Sequence, residues 1–117
     1  MLERMRKIAI ALLLMTSGSA ALAGQGASDF TLVNGTSGPL AGVSIRRAGS
    51  SDWKPLGTAA AAGARATVQF KDPDCAFDIR GKVGGSDVTW AGVNLCGAKS
   101  VTLKKDDTAG AWVDYDQ

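Results

Sequence analysis

Apolar and polar residues alternate along this chain in short runs separated by clusters of Gly, Pro, Asn and Asp, and no run sustains the 3.6-residue period of an amphipathic helix. Phe30 to Val33 predicts a first strand, closed by the turn-forming stretch Asn34-Gly35-Thr36-Ser37-Gly38-Pro39. Leu40 to Arg47 follows, with Val43 and Ile45 on one face and Ser44 and Arg46 on the other. Trp53 to Leu56 predicts a short edge strand, limited by Pro55, which cannot donate to a ladder. Gly57 and Gly63 bracket Ala59 to Ala62 too closely for an isolated helix, so a loop or a single turn is expected there. Ala66, Val68 and Phe70 then alternate with Arg65, Thr67 and Gln69, the pattern of a half-buried strand.

The stretch from Cys75 to Cys96 predicts a β-hairpin. Cys75, Phe77, Ile79 and Val83 share one face, whereas Asp78, Arg80 and Lys82 share the other, which is expected to be solvated. With Gly84-Gly85-Ser86-Asp87 as a four-residue loop, Val83 faces Val88 and Cys75 comes opposite Cys96. Val88 and Trp90 are even-numbered but Val93 and Leu95 are odd-numbered, so a bulge is expected near Ala91-Gly92. Ser100 to Lys104 and Ala111 to Tyr115, the latter through Trp112 and Val113, complete the pattern. The expected fold is all-β, a single immunoglobulin-like β-sandwich of roughly seven or eight short strands, with a small β-barrel as the alternative.

The first residues change the picture of where this domain works. Arg4, Arg6 and Lys7 precede an apolar run from Ile8 to Met15, and Ala21-Leu22-Ala23 supplies a small-residue cleavage boundary. Residues 1–23 therefore predict a signal peptide, residues 24–28 a flexible leader, and residues 29–117 a single domain. The apolar run is shorter than the ~20 residues of a membrane span, so none is expected after cleavage. Outside the cytoplasm, periplasmic or secreted, the only two cysteines of the chain, Cys75 and Cys96, are expected to form a disulfide. Twenty residues separate them, without a CxxC motif or any His to complete a metal site. Such a bridge clips the open end of the hairpin and stabilises the fold by roughly 3 kcal/mol in the chain-entropy model.

Composition narrows the chemistry further. After residue 23 the chain keeps 10 basic and 10 acidic residues of the 13 and 11 in the full sequence, so its formal net charge is zero and nucleic acid is not an expected partner. Neither His nor Glu remains in that part, so Ser-His-Asp and Cys-His nucleophiles cannot be assembled. Asp72 and Asp74 flank Pro73 as turn residues, and Asp106-Asp107 and Asp114 with Asp116 lack the spacing of a calcium loop. Gly84-Gly85 lacks the pattern of a phosphate loop. No cofactor, metal or catalytic residue is expected.

The succession FTLVNGTSGPLAGVSIR, DW, CAFDIR, WAGVNLC and SVTL resembles a group of small exported bacterial β proteins of unknown function. Their pattern is a first strand ending in Asn, a Trp after Ser or Asp, a CxxDLR-like strand and a strand of the form Trp-Gly-(Val or Ile)-x-Leu-Cys. The resemblance spans Phe30 to Leu103 and implies a disulfide-linked β domain, without assigning an activity. This chain differs from the pattern in carrying Arg46-Arg47 in its second strand and no Gly after Trp53.

Two functional classes follow. The first is a non-enzymatic interaction or accessory module, monomeric, that holds a protein partner in the cell envelope through a sheet face or an edge strand, with Asp78, Arg80 and Lys82 as the candidate face. The alternative is a small-ligand or glycan-binding domain that uses Trp53 or Trp90 as an exposed stacking surface.

Overall fold

The computed structural model describes residues 26–57 and 60–116. The signal peptide expected at residues 1–23, and Gly24 and Gln25 of the leader, lie outside the described residues. Eight strands follow one another: β1 (Phe30–Asn34), β2 (Leu40–Arg47), β3 (Lys54–Pro55), β4 (Arg65–Val68), β5 (Ala76–Val83), β6 (Ser86–Asn94), β7 (Ser100–Asp106) and β8 (Gly110–Asp116). They form two four-stranded sheets, in the orders β4-β1-β7-β8 and β3-β2-β5-β6. No helix occurs among the described residues. The all-β sandwich expected from the alternating pattern is the observed architecture.

Period-two alternation decides what enters the space between the sheets. Leu32, Val101 and Leu103 come from one sheet, and Leu40, Phe77, Ile79, Trp90 and Val93 from the other, all at most 1% exposed. Phe70 plugs the space beside β4, its ring edge-on to Phe30 and Phe77 at 6.1 and 5.2 Å between centroids. Trp90 crosses the core from β6 and its indole N–H donates to the Lys104 carbonyl of β7 at 2.8 Å, so one side chain ties the two sheets.

A buried amide holds the loops at one end. Asn34 is fully buried, and its Nδ2 donates to the carbonyls of Gly38 and Ala61 at 3.0 and 3.1 Å. Its Oδ1 accepts from the backbone N–H of Thr36 at 3.0 Å and from the Thr36 hydroxyl at 2.5 Å. Asn34, expected only to end a strand, thus joins the β1–β2 turn to the alanine-rich loop. At the other end Ala27, expected in the leader, is 3% exposed and exchanges backbone hydrogen bonds with Asp72.

The hairpin differs from its expected register. Gly84 and Gly85 have φ of 57° and 88°, so the pair supplies both left-handed positions of a two-residue turn. Ser86 and Asp87 are therefore strand residues, and Val83 pairs with Ser86 instead of Val88. The bulge lies where the parity change required it: Ile79 pairs with Trp90 but Phe77 pairs with Val93, leaving Ala91 and Gly92 together opposite Asp78. That one-residue shift sets Leu95 against Cys75, the Leu95 N–H donating to the Cys75 carbonyl at 2.9 Å. Cys96 is thus one residue past the position directly opposite Cys75. The disulfide forms nonetheless across a Cα separation of 5.0 Å, within the reach of such a bond. It lies within one sheet, at the open end of the β5–β6 hairpin, instead of bridging two sheets as in antibody domains.

Replacing both Cys75 and Cys96 with Ser is expected to lower the unfolding free energy by about 2 to 5 kcal/mol. Urea denaturation of the oxidised protein and of the double variant measures this, and equal midpoints would show that the hairpin needs no clip.

Candidate interaction face

The outer face of the β3-β2-β5-β6 sheet is built from two alternations in register. β2 turns Ser44 and Arg46 outward, β5 turns Asp78, Arg80 and Lys82 outward, and the strands pair Ser44 with Arg80 and Arg46 with Asp78. The face assignment made from the sequence holds, but its solvated character does not extend to Asp78, which is 5% exposed. The reason is the bulge. By doubling β6 opposite Asp78 it turns the Gly92 N–H onto the face, where it donates to Asp78 Oδ1 at 3.0 Å, and Gly92 adopts φ 67° to do so. Arg46 Nε donates to the other carboxylate oxygen at 2.8 Å. The Gly92 N–H, followed by Arg46, holds the Asp78 carboxyl below the usual carboxylate range against the opposing effect of burial.

Trp53 joins this face from the segment before β3. Because β3 pairs with β2 at Ser44↔Pro55 and Ile45↔Lys54, the residue before Lys54 falls beside Arg46. The Trp53 ring lies under two guanidinium groups, that of Arg46 at 4.5 Å and that of Arg80 at 4.0 Å from the ring centroid. Arg46 is also committed to Asp78. Arg80, by contrast, has no carboxylate within ion-pair distance among the described residues, and its charge rests over the indole. Ser44 and Thr89 flank Arg80 on the neighbouring strands. Together with Gly42, Lys82 and Asp87 they line a shallow depression of about 380 Å³. Lys82 and Asp87 close it as a cross-strand ion pair of 2.8 Å, which draws the exposed Asp87 carboxyl below its ordinary range.

The other expected sites sort differently. Trp90 is 1% exposed and belongs to the core, so its ring offers no stacking surface for a sugar. Trp53 is half-buried and already engaged by two guanidinium groups. Arg47 is tied to the turn before β5, contacting Asp72 at 3.1 Å and Asp74 at 3.2 Å, and both carboxylates raise its pKa. A cleft of about 610 Å³ beside it is lined by Arg46, Lys54, Phe70 and Asp72. Two aromatic residues not singled out from the sequence, Trp112 and Tyr115 on β8, are 37% and 41% exposed. The signal for Trp112 was its place among Asp114 and Asp116 on the polar side of an alternating strand.

Asp78→Asn keeps the shape of the side chain but sets an amide donor against Arg46 or Gly92. It is expected to destabilise the protein by about 1 to 3 kcal/mol at pH 7. The folded-state pKa of Asp78 lies below its unfolded value, so its contribution is complete above about pH 4 and is lost as the pH falls through the folded value. Denaturation curves for the two proteins should therefore diverge at pH 7 and converge in strong acid. A gap that widens on acidification would contradict the assignment.

The chain matches no family model and no curated protein. Among solved structures it is similar to one described as the NMR structure of the protein from Eubacterium rectale. That match has a TM-score of 0.58 at 17% sequence identity and covers 80% of this chain and 92% of the other. At that identity the likeness is one of fold.

Proposed function

We propose that this chain is an exported, non-enzymatic interaction module that holds a protein partner in the cell envelope through the outer face of the β3-β2-β5-β6 sheet. The observation that carries the reading is Trp53 fixed beneath the guanidinium groups of Arg46 and Arg80. Arg and Trp dominate binding energy at protein interfaces because each covers a large area with few rotatable bonds once held in place. Here part of the ordering cost of Arg80 is met before any partner arrives, because the cation–π contact with the indole restricts where its guanidinium group sits. The depression between Arg80 and Lys82 offers a guanidinium fork and the Ser44 and Thr89 hydroxyls, a set of donors suited to an acidic side chain of the partner. Export is supported by the basic and apolar start of the sequence and by the disulfide, which is compatible with an oxidising compartment.

Cross-linking in a periplasmic extract, followed by purification of the tagged protein, tests the reading. The native chain is expected to capture a discrete partner. Replacement of Arg80 and Lys82 with Ser is expected to leave thermal stability nearly unchanged and to weaken capture about tenfold or more, a change of about 1.4 kcal/mol or more. Equal capture by the double variant would remove the face from the interaction. Intact-mass measurement of the periplasmic protein checks the export step, with cleavage after Ala23 as the expected result and a membrane-bound chain that retains residues 1–23 as the contrary one.

A further inference from the structure

β8 is an edge strand of its sheet, and β7 is the neighbour it pairs with. The backbone groups it leaves open follow from β7. The Lys99 and Leu103 carbonyls accept from the Thr31 and Gly35 N–H groups on the β1 side, each at 2.9 Å. Backbone groups alternate sides along a strand, so Ser100, Thr102 and Lys104 turn theirs toward β8, where they face Asp116, Asp114 and Trp112. The Asp116 carbonyl does face β7, although the donor it meets at 2.7 Å is the N–H of Lys99, which precedes the strand and departs from the alternation. The N–H and C=O groups of Ala111, Val113 and Tyr115 therefore point away from the sheet.

Among the described residues little guards this edge. β8 is seven residues long, contains no Pro or Lys, and pairs with β7 in unbroken register from Ser100↔Asp116 to Asp106↔Gly110. It also carries Trp112 and Tyr115, the large apolar residues that are exposed among the described residues. Asp114 and Asp116 are its charges, and both share the outer face with Trp112.

We infer that β8 pairs antiparallel with β8 of a second copy of this chain, about a twofold axis through Val113, joining two four-stranded sheets into one continuous sheet. The register selects this occupant. Pairing centred on Val113 sets Ala111 against Tyr115 of the second copy and Val113 against its equivalent, all of them residues with outward-facing backbone groups. It also sets Trp112 against Asp114 of the second copy and Gly110 against Asp116, so no carboxylate directly faces another. A slide of two residues in either direction shortens the seven-residue overlap to five, and one of those slides sets Asp114 directly against Asp114. The sequence of β8 is thus complementary to itself in the register of fullest overlap. The interface is isologous and closes at two copies, in contrast to the monomer expected from the sequence. It uses a different surface from the Arg–Trp face and stands or falls independently of the proposed function.

Sedimentation equilibrium of the purified exported protein from about 1 μM to 1 mM tests the inference, together with hydrogen exchange at the two ends of that range. The average mass is expected to rise from one copy toward two. The Ala111, Val113 and Tyr115 amides should become protected as concentration rises, while those of Trp112 and Asp114 stay protected throughout. Trp112→Asp places a carboxylate opposite Asp114 on both sides of the axis and should weaken the dimer more than about tenfold, whereas Trp112→Lys should retain it. Ala111→Pro, which removes an outward N–H and leaves the β7 ladder intact, should also weaken it. One copy at every concentration, with the three outward amides exchanging freely, would overturn the inference and leave the edge to a foreign strand or to its own aspartates. A dimer indifferent to both Trp112→Asp and Ala111→Pro would overturn it equally, by placing the contact elsewhere.

Discussion

Asp78 is a carboxylate withdrawn from water on the outer side of a sheet, and a charge so placed must be met by donors or the fold carries a penalty of several kcal/mol. Its partners come from both neighbouring strands: the Gly92 N–H from the bulge of β6 and the Arg46 guanidinium from β2. One side chain therefore fastens β5 to both of its neighbours in a single register. The bulge, the left-handed Gly92 and the arginine in the second strand are three parts of the same solution. Once Arg46 is fixed by Asp78, its exposed side becomes a surface on which Trp53 can lie, and Arg80, diagonal to Arg46 across the β2–β5 ladder, covers the same ring.

The same economy recurs elsewhere in this small domain. A domain of this size buries a modest core, and its connecting segments are held by buried polar side chains as much as by apolar contact. Asn34 satisfies carbonyls in two different loops with one amide. Trp90 contributes the largest ring of the core and also a hydrogen bond to the opposite sheet. The disulfide secures the end of the hairpin that lies beyond the bulge, where the register has already changed once.

The elements legible in the sequence were those that depend on alternation and turn chemistry. The strands and the site of the bulge follow from which positions are apolar, because a period of two leaves little freedom, and the cysteine pair follows from the chain having only two. The length of the hairpin turn did not follow, since Gly84-Gly85 can occupy a longer loop or fill both left-handed positions of a tight one, and two residues of register depend on that choice. Asp78 shows the limit of alternation: it assigns a face but not a depth, and depth here is set by Arg46 and by a backbone N–H that only the bulge presents. Trp53 could not be placed because its environment combines Arg46 of the preceding strand β2 with Arg80 of β5, a strand remote from it in sequence. The exposure of Trp112 and Tyr115 likewise depends on β8 being the outermost strand, which follows from the parallel pairing of β1 with β7 and not from any local pattern.

The most direct measurement of this arrangement is the titration of the Asp78 carboxyl carbon by NMR in the folded protein, followed together with the Gly92 amide. The Asp78 carboxyl should titrate clearly below the ordinary aspartate value of about 3.9, and the Gly92 amide should shift over the same pH interval because it donates to that carboxylate. An Asp78 carboxyl that titrates at or above the ordinary value, with a Gly92 amide that ignores it, would mean that burial dominates over the donors and that the clamp does not organise the face.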